Sequence, residues 1–141
     1  MVRSASEGEF VRFVVPHLID SDSESASGVV AIAYAILDAD EEDVARLSEL
    51  RRLLDWLVAH LPEPGRFSRT TSKGHYRRKT KGLSWFRPTA TEAIAVVREL
   101  AALVERCGYP VVELRERRIG YVTYEDDQQV VAEPFRETRT R

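Results

Sequence analysis

The sequence predicts an α+β fold: a small four-stranded antiparallel sheet, built from an N-terminal strand and a C-terminal meander, with three helices packed on one face. Three observations carry that prediction. Apolar residues recur at three- and four-residue spacing through the middle of the chain, as amphipathic helices require. Short runs rich in β-branched and aromatic residues lie towards its two ends. The two patterns are grouped rather than alternating, which argues against a parallel α/β sheet.

The first strand is Glu9 to Val15 (EFVRFVV). Alternation places Val11, Phe13 and Val15 on one wholly apolar, core-facing side, with Phe10, Arg12 and Val14 on the other. Pro16 limits further ladder pairing, and the acidic, serine-rich run to Ser27 reads as a loop. Ser27 is placed to cap a short helix over 28–37, whose alanines favour helix over buried strand.

The most secure element is a helix over about 41–61. Val44, Leu47, Leu50, Leu54, Leu57, Val58 and Leu61 form its stripe, and Arg52 and Asp55 are spaced to pair outside. Pro62 and Pro64 end it. A third helix opens at a capping box, Thr89 to Glu92, runs to about Cys107 and stops at Gly108. Three short strands follow, 111–114, 119–124 and 129–132. The reading is one domain over 1–133, with a long basic connection at 64–88 and a flexible tail at 134–141.

Composition narrows the function classes. The single cysteine, Cys107, excludes an internal disulfide and a cysteine-based zinc cluster within one chain. It suits a reducing, cytoplasmic compartment. No apolar stretch reaches the roughly 20 residues of a membrane span. The net charge of −2 conceals a partition: about −8 over residues 1–63, +8 over 64–90 and −2 over the rest.

The basic segment is therefore the place to look for function. It holds Arg66, Arg69, Lys73, His75, Tyr76, Arg77, Arg78, Lys79 and Lys81, then Arg87, and no acid. Cations that track phosphates, interleaved with rings that receive unstacked bases, are what a single-stranded nucleic-acid groove needs. No RRM, KH, helix-turn-helix, zinc-finger or Walker A pattern accompanies them. Trp85 and Phe86, just before a helix, read as core anchors instead.

The leading expectation is a non-enzymatic protein whose segment 66–87 binds single-stranded RNA or DNA, or another polyanion, without a cofactor. The alternative is an interaction or regulatory protein that binds a partner protein through its acidic helical half. A third reading is a metal-independent ribonuclease-like enzyme, with His75 as general base and the surrounding cations stabilising the phosphorane. Glu125, Asp126 and Asp127 form a weak candidate for a divalent cation and otherwise read as a solvated turn.

Overall fold

The computed structural model describes residues 8–20, 25–39, 43–61 and 82–140. It is an α+β protein in which three helices cover one face of a curled antiparallel sheet. In chain order the elements are β1 (Phe10–Asp20), β2 (Ser25–Gly28), α1 (Val29–Asp38), α2 (Val44–His60), β3 (Leu83–Phe86), α3 (Thr91–Arg106), β4 (Val112–Glu116), β5 (Tyr121–Glu125) and β6 (Gln129–Glu133). No helix among the described residues is long and apolar enough to cross a membrane.

The N-terminal strand and the C-terminal strands are where the sequence places them, but among the described residues the sheet has six strands rather than four. Both additions were hard to see. β1 continues past Pro16 because the β1–β2 register slips between Val15 and Ile19, so the residue without an N–H falls in an irregularity. Its partner β2 is SASG, with no β-branched residue, and is a strand by pairing rather than by propensity. β3 holds Trp85 and Phe86, which do anchor the fold, from within the sheet.

The C-terminal strands join the sheet at opposite ends instead of forming one continuous meander. β4 pairs along β1 from Phe10↔Glu116 to Val14↔Val112. β5 pairs only with β6, and β6 passes to β3. The edges are thus β4 and β5, yet only Arg117 to Gly120 separate them in the chain. So short a connection between opposite edges requires the sheet to curl on itself into a half-barrel.

The curl gives the protein two cores. Val11, Phe13 and Val15 face the helices as expected, packing with Leu50, Leu54, Leu57, Val97 and Leu100. Val14 on the other face is equally buried, inside the concave side with Leu83, Trp85, Leu114, Ile119 and Val130. The chain beyond Glu133, expected to be flexible, lies across the seam. Thr138 Oγ1 donates to Arg118 O at 3.0 Å, Ala26 N donates to Thr140 O at 3.1 Å, and Arg139 meets Glu116 at 3.2 Å.

The helices depart from expectation at their ends and rims. Asp43 caps α2, its carboxylate accepting from Arg46 N at 3.0 Å. Val44 and Val58, read as part of the apolar stripe, are exposed. Arg52 pairs with Glu49 and reaches Glu99 of α3, not Asp55. The Thr89–Glu92 capping box does not form: α3 starts at Thr91, with no side-chain cap. The reason is the preceding turn, where Ala90 N donates to Arg87 O at 2.9 Å with Pro88 at the second position.

A cavity with one cationic wall

Arg66, Arg69, Lys73, His75, Tyr76, Arg77, Arg78, Lys79 and Lys81 all lie outside the described residues, and so does every step of the nucleic-acid and ribonuclease readings that uses them. The segment leaves the described body at Leu61 and returns at Gly82. Arg87 is its one described cation, and it is engaged internally. It donates to Glu125 at 2.6 Å and to Asp126 O at 2.7 Å.

The acidic turn is also engaged. Asp126 Oδ1 accepts from Gln128 N at 2.8 Å and Gln129 N at 2.7 Å, and Oδ2 accepts from Tyr124 Oη at 2.7 Å. These bonds close the β5–β6 hairpin. Partial burial alone would raise the Asp126 pKa; the bonds from Tyr124, Gln129 and Gln128, with Arg87 nearby, outweigh it and hold the carboxyl below its usual value. No group of three or more potential metal ligands occurs among the described residues.

A carboxyl with a depressed folded-state pKa contributes stability above its unfolded pKa, and that contribution is lost as pH falls through the folded value. Asp126→Ala should therefore cost about 1 kcal/mol at neutral pH, as loss of a comparable cap does. The gap between wild type and variant should narrow as pH falls below about 4, towards the depressed folded value. Urea denaturation of both proteins at pH 7 and pH 3 checks this; a gap as large at pH 3 as at pH 7 would mean the carboxylate is not its source.

A cavity of about 280 Å³ lies between the helices and the sheet. Leu54, Leu57 and Val58 of α2, Leu61 just beyond it, Val29 and Val30 of α1, and Phe86 make most of its wall. Three polar side chains from the sheet line it as well: Arg12, Ser84 and Gln129. Among the described residues no histidine, cysteine or carboxylate does.

Arg12 reaches the cavity because of how the sheet is built. Val11 pairs with both β3 and β4, and Val14 with both β2 and β4. So β2 and β3 share one edge of β1 and leave a notch between them beside Arg12. The guanidinium fills that notch. Nη1 donates to Ser84 O at 3.0 Å, and the position of a Cβ on Gly28 would lie 3.4 Å from Nη2.

Nε is shielded from solvent and has no hydrogen-bond partner among the described residues, and the side chain's partner among them is a carbonyl rather than a carboxylate. Burial pushes the Arg12 pKa down to about 10, which leaves it charged at neutral pH. Beside it, Ser84 Oγ donates to Gln129 Oε1 at 3.2 Å, and Gln129 is itself buried.

Sequence reasoning placed Arg12 on the less buried side of its strand and went no further. The available signal was its neighbourhood: a single charge two residues from Phe10 and two from Val14, on a face otherwise apolar. Compared with protein-family models, curated proteins and solved structures, the chain finds no match.

Proposed function

We propose that this protein binds a small anionic ligand in the cavity between its helices and its sheet, with Arg12 as the counter-charge. The observation that carries this reading is the guanidinium of Arg12, charged, held at an apolar cavity, and given one carbonyl but no carboxylate among the described residues. A buried charge without a partner is costly. The displacement of its pKa to about 10 corresponds to a cost on the order of 3 kcal/mol. A bound anion would remove that cost. The shape agrees, since ligand sites are concave and mostly apolar with a few converging polar groups. With no histidine, cysteine or carboxylate among its described lining to activate a hydroxyl, the cavity suits binding better than catalysis.

The test is Arg12→Met, which keeps an unbranched apolar stem and removes the charge. Without ligand the variant should be more stable than wild type, by about 1–2 kcal/mol after the lost bond to Ser84 is counted. Because the folded-state pKa is depressed, the penalty is fully present below about pH 10 and is relieved only above it. The gain should thus be flat from pH 5 to pH 9 in thermal denaturation. A variant less stable than wild type would show that the guanidinium is already satisfied, and the reading would fail.

The charge partition favours a second reading that does not compete for the same residues. Segment 64–90 carries eight cations and no acid. Of these, only Arg87 is described, and it is held by Glu125. We propose that the remainder contacts a polyanion such as single-stranded RNA. Binding should weaken steeply with salt, and Ala at Arg77, Arg78 and Lys79 together should lower the slope of log K against log[salt] by about 2. A fluorescence-anisotropy salt series checks it; no binding at low salt would remove this reading.

A further inference from the structure

We propose that the ligand of the Arg12 cavity is a monocarboxylate on a compact apolar body, its carboxylate accepting from Nη2 of Arg12 and its body against α2. This rests on the anion-binding reading above and specifies its chemistry. The position follows from what the fold has used. Nη1 is committed to Ser84 O and Nε is closed off from solvent, which leaves Nη2, with no hydrogen bond among the described residues, as the donor that a ligand in the cavity can reach. A charged N–H donating to a carboxylate makes a short, strong hydrogen bond.

Charge and lining restrict the rest. Among the described residues one cation lines the cavity, and the other polar side chains, Ser84, Gln129 and Tyr34, are neutral. That described lining balances a single negative charge rather than a phosphate dianion or a polyphosphate. Leu54, Leu57 and Val58 of α2, with Leu61 just beyond it, present an apolar wall, so a body that carried further polar groups would bury them unpaired. About 280 Å³ is near the low end for ligand sites. A compact body is what a space of that size accepts. Half-exposed Tyr34 and exposed Val58 lie at its rim, where the body would enter.

Octanoate and 3-phenylpropionate match this description and are the probes. Their neutral counterparts are 1-octanol and 3-phenylpropanamide, and acetate and inorganic phosphate supply charge without an apolar body. Titration calorimetry on the full chain should show the two carboxylates binding at least tenfold tighter than their neutral counterparts, with acetate and phosphate far weaker. Arg12→Met should abolish that difference while leaving the neutral compounds unchanged. The Arg12 Nε–H resonance should shift with octanoate and not with octanol.

Other outcomes separate the two levels of the argument. Phosphate binding that needs Arg12, with no carboxylate binding, overturns the ligand class and leaves the anion site standing. Equal binding of octanoate and octanol, insensitive to Arg12→Met, overturns both, as does the absence of any binding. Glu63 is the only acid in the sequence between Leu61 and Glu92. Carboxylate binding that appears only in Glu63→Gln would make the counter-ion of Arg12 part of the chain, and that too overturns both.

Discussion

Gly120→Ala should destabilise the protein by about 4 kcal/mol, and lower its melting temperature by roughly 15 °C. Two independent effects add. Gly120 has φ +131°, a region that side chains other than glycine's rarely enter, at a cost of about 1–3 kcal/mol. In addition, a Cβ there would lie 1.9 Å from Glu133 O and 2.5 Å from its carbonyl carbon. Those are backbone atoms of β6, so relief requires moving a strand rather than rotating a side chain.

Gly108 isolates the two effects. It also has positive φ, at +101°, but nothing lies within 4 Å of its Cβ position. Gly108→Ala should therefore show only the conformational part, about 1 kcal/mol. Guanidinium denaturation of both variants measures the difference. Equal losses would mean that the close approach between Gly120 and Glu133, where β5 starts beside the end of β6, is absent.

The same glycine shows where sequence reading stopped. The helices were legible because burial writes itself along them: Leu50, Leu54 and Leu57, or Ile94, Val97 and Ala101, repeat at helical spacing, and all are buried. The curl was not. It depends on β4 and β5 being opposite edges, a fact about pairing partners that no local pattern encodes. β2 was invisible for the same reason, since SASG becomes a strand only beside an extended β1. The cavity arises between elements far apart in sequence, so Arg12, Ser84 and Gln129 could each be read singly but not together. The cationic stretch stood out because charge is visible without any fold, and that visibility drew attention from a lone arginine.

Trp85→Ala should cost about 3–5 kcal/mol, while Trp85→Phe should cost only about 1. Trp85 is the largest fully buried side chain, lying in the concave core with Val14, Leu114 and Val130. Truncation to alanine opens a cavity that a curled, hydrogen-bonded sheet cannot collapse to fill. Its Nε1 is buried without a hydrogen-bond partner among the described residues. Phenylalanine keeps most of the packing and removes that unsatisfied donor, so the loss of volume is partly offset. Trp56, half-buried and stacked on His60, remains as the fluorescent reporter in both variants. The result bears on the cavity as well. Trp85 pairs with Val130 and sets the register of β3 on β6, and Ser84, the next residue, supplies the carbonyl that holds Arg12. A variant that loosens β3 should therefore weaken carboxylate binding though it touches no ligand, and Trp85→Phe, which leaves β3 seated, should not. If Trp85→Phe were as damaging as Trp85→Ala, the indole N–H would have a partner, and the offset argued here would be wrong.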